Sequence, residues 1–104
     1  MIKLNTVLTN LEGNPIYLKS PDGKESPATV KELICSVLIG EFKGETVQQK
    51  MERYRLAKEY YSKDEIILAK EECEKICEYI LQSYPTPVAC AAVEIIEAQN
   101  VISN

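Results

Sequence analysis

The sequence predicts an α+β fold, mainly α, and three observations carry that expectation. Turn-forming residues cluster among β-prone pairs before residue 25, which predicts an N-terminal hairpin. From residue 26 onward apolar residues recur at helical spacing in four blocks parted by Gly, Pro or polar breaks. Hydrophobic residues make up 45% and charged residues 27% of the 104. That is ordinary globular usage, enough for a core without metals or disulfides. The expected organisation is a single domain over 1–104, with a β-hairpin region over 1–25 and a helical region over 26–104.

Ile2-Lys3-Leu4 and Val7-Leu8-Thr9 are β-prone, and Glu12-Gly13-Asn14-Pro15 is dense in turn formers. Ile16-Tyr17-Leu18 then predicts a return strand, ended by Ser20-Pro21-Asp22-Gly23-Lys24. The first helix has two candidate starts. Ser26-Pro27 offers a cap with Pro at the first helical position, and Thr29 with Glu32 matches a capping box. Val30, Leu33, Ile34, Val37 and Leu38 share one face, and Gly40 is placed to end the helix.

After Glu41-Phe42-Lys43-Gly44, Thr46 with Gln49 forms a second capping box, and the helix is expected to run to about Ser62. It has two apolar stripes: Val47, Met51, Tyr54 and Tyr61 on one side, Leu56 and Tyr60 nearly opposite. A helix of this kind either sits between two layers or shows one stripe to a partner. Glu65-Ile66-Ile67-Leu68 is short and β-branched, and predicts a third strand joining the hairpin.

The third helix, about Lys70 to Tyr84, places Cys73, Ile76, Cys77, Ile80, Leu81 and Tyr84 on one face. Pro85-Thr86-Pro87 separates it from a last helix, with Thr86 as the expected cap and Pro87 as first residue. That helix is apolar nearly all round, which predicts a central position or a subunit interface. The expected core draws on Leu33, Ile34, Val37, Leu38, Leu56, Ala57, Cys73, Ile76, Cys77, Ile80, Val88, Ala92 and Ile95.

The chain contains no histidine, so the commonest general base and metal ligand are both missing. No glycine precedes a Lys-Ser/Thr pair, so no phosphate-cradling loop is present. Catalysis is not expected, and no cofactor is. Cys35, Cys73, Cys77 and Cys90 all lie among aliphatic neighbours, which reads as buried free thiols. A zinc site or two disulfides are the alternatives, but the spacing favours neither. The N-terminus lacks the apolar core of a signal peptide and no stretch is long enough to span a membrane, so a cytoplasmic protein is expected.

Charge is segregated more sharply than the net of -4 suggests. Asp64, Glu65, Glu71, Glu72, Glu74 and Glu78 face only Lys70 and Lys75 within their segment. Lys50, Arg53, Arg55, Lys58 and Lys63 face only Glu52 and Glu59 in theirs. The plain reading is complementary charge on neighbouring helices, largely screened by solvent. The sharper reading makes one of two surfaces functional. Either Glu71, Glu72, Glu74 and Glu78 meet a basic partner, or Lys50, Arg53 and Arg55 hold an anion beside Tyr54, Tyr60 and Tyr61. Broad nucleic-acid binding is disfavoured, since the chain is acidic and its basic residues point several ways.

Three segments together resemble a class of short tailed-phage and prophage accessory proteins. Thr6 to Ile16, with its Glu12-Gly13-Asn14-Pro15-Ile16 turn, is similar to their opening strand and "D/E-G-x-P-I" turn. Arg53-Tyr54-Arg55-Leu56-Ala57-Lys58-Glu59-Tyr60-Tyr61 resembles their middle helix, and Glu65-Ile66-Ile67-Leu68 before a Glu-rich helix start resembles the third part. The sequence departs from the class at Leu68-Ala69-Lys70, where a Ser or Thr cap would stand.

That class has no assigned catalytic residues. The resemblance implies a protein that acts by binding, in the host cell cytoplasm. The leading expectation is stoichiometric binding of a host or defence-system protein, which counters a bacterial defence. An oligomeric sponge for an anionic nucleotide signal, or a virion or assembly component, are the alternatives. A homo-oligomer is compatible with each.

Overall fold

The computed structural model describes residues 1–19, 22–40 and 43–100. Its elements are β1 (Ile2–Lys3), β2 (Tyr17–Lys19), β3 (Glu25–Pro27), α1 (Val30–Leu38), α2 (Val47–Tyr61), β4 (Glu65–Ile66), α3 (Lys70–Ser83) and α4 (Thr86–Gln99). The α+β, mainly helical expectation holds, with four helices and short antiparallel strand pairs. The turns expected at Ser20–Lys24 and Glu41–Gly44 fall partly outside the described residues.

The N-terminal segment is knitted differently from a plain hairpin. Asn10 closes the predicted turn: its side-chain oxygen accepts from Glu12 N and Asn14 N, both at 3.0 Å. Gly13 takes φ +86°, a region side chains rarely adopt. One bridge, Thr9 to Pro15, pairs the two arms, and then they part. Leu8 N donates to Ala28 O, Ala28 N to Ile16 O, and Ile16 N to Leu8 O. Three chain segments therefore share their backbone groups around one point, which frees Tyr17–Lys19 to pair with Glu25–Pro27. β1 pairs with β4 in the register Ile2 to Ile66 and Lys3 to Glu65. The third strand thus exists, but it covers only residues 65–66 and does not join the β2–β3 hairpin: it pairs with β1 in a separate sheet.

These pairings place Ser26 and Pro27 in β3, so the first candidate cap of α1 is excluded and Thr29 is the cap. Its hydroxyl accepts from Glu32 N at 3.3 Å. The next amides are satisfied from outside the helix, Val30 N by Thr6 O and Lys31 N by Leu4 O. The first turn of α1 is therefore locked to the N-terminal segment, which is why the structure begins its core there. α4 also starts differently from expectation. Pro85 caps it, Thr86 is its first residue, and Ala89 N closes the first turn on Pro85 O at 2.9 Å.

α1 is the hub of the fold and packs against α2, α3 and α4. Val30, Leu33, Ile34, Val37 and Leu38 are all buried, and Ile2, Leu4, Leu8, Ile66 and Leu68 close over them from the strand side. Burying each such side chain contributes roughly 1.5–3 kcal/mol. Of the two positions expected for α4, central or in a subunit interface, the first does not hold: it buries Ala89, Ala92 and Ile96 while Cys90, Glu94 and Glu97 face outward. Ile96 takes the core position expected of Ile95, and Leu56 and Val88 are only half buried. Leu81, expected on the inner face of α3, is exposed. Ala69 caps α3 without a side-chain bond, at the point where the sequence lacked a Ser or Thr. Asn100 anchors the nearby chain: its side chain donates to Leu68 O and accepts from Leu68 N, at 3.0 and 2.9 Å.

Among the described residues no helix is long and apolar enough to cross a membrane. Cys35, Cys73, Cys77 and Cys90 are free. Cys90 is exposed, against the expectation of four buried thiols, because α4 turns only one narrow face inward.

Candidate protein-binding surface

α2 starts on a complete capping box, with Gln49 N donating to Thr46 Oγ1 and Thr46 N to Gln49 Oε1. Its inner face is polar in an unusual way. The residues it buries are Arg53, Ala57 and Tyr60, with Leu56 beside them. Arg53 Nη1 donates to the α1 carbonyls of Leu38 at 2.7 Å and Val37 at 3.3 Å. Its Nε donates to Glu45 Oε2 at 2.8 Å, and Nη2 pairs with Glu45 Oε1. One guanidinium therefore caps the C-terminus of α1 and holds the loop that leads into α2. The arrangement joins the negative end of a helix to a bidentate carboxylate.

Tyr60 is the second polar anchor. Its hydroxyl donates to Glu72 Oε1 at 2.9 Å and ties α2 to α3. Burial holds this phenol well above the ordinary tyrosine range, and the hydrogen bond and charge of Glu72 push the same way. Sequence reasoning had put Tyr60 and Glu72 on separate candidate surfaces. The structure makes them one contact.

The remaining candidate residues do not gather into either predicted cluster. Lys50 and Arg55 are exposed on α2 but point about 140° apart around its axis. Arg53, the expected centre of the anion site, lies in the core against Glu45. On α3, Glu71 and the half-buried Glu72 line a groove of about 490 Å³ between α2 and α3, floored by Leu38, Leu56, Ile76 and Tyr79. Glu74 lines a different cleft with Cys73, Cys77 and Glu97. Glu78 is exposed and accepts from Gln82 Nε2 at 3.3 Å. Among the described residues no group of three or more Cys, Asp or Glu side chains is placed to hold a metal ion.

What α2 leaves outside is more coherent than either cluster. Val47, Met51, Tyr54 and Tyr61, the second apolar stripe of the sequence, are between 45% and 79% exposed. Lys58 completes the row, its Nζ 5.7 Å from the centroid of the Tyr54 ring. Lys31, from α1, lies the same distance over Tyr61. Both are cation–π separations. Lys58 was legible as a member of the row from its spacing. Lys31 was not, because only the packing of α1 on α2 brings it there.

No family model, no curated protein and no solved structure matches this chain. The fold and the site by themselves define an α+β protein that presents one helix face, apolar and basic, to its surroundings.

Proposed function

We propose that this chain is a stoichiometric protein-binding protein rather than an enzyme, and that the outer face of α2 is its contact surface. The observation that carries the reading is the row Val47, Met51, Tyr54 and Tyr61, exposed on a helix whose opposite face is firmly anchored. Single exposed apolar residues are ordinary, but a contiguous row on one helix face is the usual mark of an interaction site. Tyr and Met are also enriched in interface cores. The resemblance of the sequence to short phage accessory proteins supplies the setting. In the host cytoplasm, the protein would counter a bacterial defence system by covering one of its protein components.

The nucleotide-sponge alternative draws no comparable support, because Arg53 is committed to Glu45 and to the end of α1. The test is made in bacteria that carry defence systems, with phage plating as readout. A photo-crosslinking amino acid in place of Tyr54 should trap one protein of the defence system at equal stoichiometry. The pair Met51→Glu and Tyr54→Lys should abolish both the adduct and the rescue of plating. Full rescue by the doubly substituted protein would sink the proposal.

A further inference from the structure

We infer that the outer face of α2 is one half of a two-helix seam, and that its other half is an acidic amphipathic helix of the partner. This deepens the proposed function and rests on its reading of the α2 face as a contact surface. Val47, Met51, Tyr54, Lys58 and Tyr61 follow one another at intervals of four, three, four and three. That is the alternation of the inward positions of a heptad, the pattern by which one helix packs along another. The row runs the whole of α2, about 21 Å at the helical rise, so it matches a partner helix of similar length. Nothing among the described residues covers it, as the exposure of its apolar members shows.

Charge decides what kind of helix fits. Lys50, Arg55 and Lys58 lie within about 80° of the midline of the row, and Lys31 stands over Tyr61 at its end. The carboxylates of α2, Glu52 and Glu59, lie about 120–140° round the helix, and Glu59 is bonded to Lys63 at 2.8 Å. The seam is therefore apolar along its centre except at Lys58 and basic along its flanks, in a chain whose net charge is -4. Flanking charges of a helix pair set the choice of partner, and here they select carboxylates.

A second copy fits poorly. In a parallel pair, Lys50 of one helix meets Arg55 of the other across the seam. In an antiparallel pair centred on Tyr54, Lys50 comes level with Lys58. A nucleic-acid strand fits less well than a helix, since Val47 and Met51 offer it neither stacking faces nor hydrogen bonds.

The test uses the full chain and two fluorescein-labelled synthetic helices of three heptads. Both carry Leu and Ile at the inward positions. One has Glu on both flanks and opposite Lys58; its twin has Lys there. Anisotropy titrations should show saturable one-to-one binding of the acidic helix and none of the basic twin. The pair Arg55→Glu and Lys58→Glu should weaken the acidic helix at least about ten-fold and should bind the basic twin instead, a charge swap that a merely sticky surface cannot give.

Equal binding of both helices, or an affinity that the charge reversal leaves unchanged, would overturn the inference. So would displacement of the acidic helix by a single-stranded oligonucleotide. Self-association in sedimentation equilibrium that Tyr54→Lys abolishes would assign the row to a second copy and overturn it too. If Tyr54 crosslinks a protein in cells while the acidic helix does not bind, this inference falls alone. If the row can be substituted without phenotype, the underlying function falls with it. Because these side chains are exposed, the urea midpoint of each variant should stay at the wild-type value and exclude misfolding as a cause.

Discussion

Replacing Arg53 by Met tests whether α2 is held by its polar anchors. The methionine keeps most of the apolar stem but removes the hydrogen bonds to Glu45 and to the last carbonyls of α1. The Arg53 and Glu45 side chains are 11% and 14% exposed, so solvent screens the pair only weakly. Breaking such a buried pair from one side costs about 3–5 kcal/mol, because the remaining carboxylate is left without its partner. That is a large part of the about 5–15 kcal/mol by which a domain is stable. Urea titration followed by circular dichroism should show the loss, with the melting temperature more than about 10 °C lower. Arg53→Lys keeps the charge but not the forked donor set, and should fall between the two. The pair Arg53→Met and Glu45→Leu should recover part of the loss, because no charge is then stranded. A loss under about 1 kcal/mol for Arg53→Met would refute this account of the anchor.

Three other outcomes follow from the same contacts. Tyr60→Phe should cost about 1 kcal/mol through the lost bond to Glu72. The fold holds the Tyr60 phenol protonated above its ordinary range, so its contribution is complete below about pH 10 and is lost as pH rises further; urea midpoints of wild type and Tyr60→Phe should converge there. Ellman's reagent should modify Cys90 in a fast phase that Cys90→Ser removes, while Cys73 and Cys77 react slowly. Burial, aided by neighbouring Cys73, pushes the Cys77 thiol up to about 12, and because Cys35 is only half buried, the contradicting result for the placement of α4 is a fast phase that Cys90→Ser leaves unchanged in amplitude. Asn100→Ala should cost about 1–2 kcal/mol and speed hydrogen exchange at the Leu68 amide, whose carbonyl and N–H it clamps; unchanged exchange would remove that clamp from the account.

The helices were legible because their signals are local. Thr29 and Thr46 cap through bonds three residues long, and Leu33, Ile34 and Val37 mark their face by spacing alone. The strands were less so. Tyr17–Lys19 pairs with Glu25–Pro27 rather than Val7–Thr9 because Ala28 gives a bond to Ile16 and takes one from Leu8, a three-way closure that no two-strand pattern encodes. The two apolar stripes of α2 were visible in the sequence, but not which of them the core would take. Arg53 was the misleading residue. Read as a surface cation among others, it is buried because the Glu45 carboxylate and the Val37 and Leu38 carbonyls supply acceptors within its reach, and those carbonyls lie 16 and 15 residues away in sequence. The tyrosines divided for the same reason: Tyr60 has Glu72 to satisfy its hydroxyl in the interior, whereas Tyr54 and Tyr61 stand exposed with lysines over their rings.

The manner in which α2 is held bears directly on what it can do. Its outer row is at least as apolar as the face it buries, and the two lie about 120° apart around the axis. If hydrophobic burial alone oriented the helix, rolling it inward on Val47, Met51, Tyr54 and Tyr61 would compete with the observed packing, since that driving force is non-directional. Directional bonds remove the competition. Arg53 reaches α1 and Glu45, and Tyr60 reaches Glu72, only in one rotational setting of the helix. Rolling α2 would strand a buried guanidinium's partners at a cost above what the extra apolar burial returns. The polar core residues thus keep an apolar face outside, in a fixed orientation, where a binding partner rather than the rest of the chain can cover it.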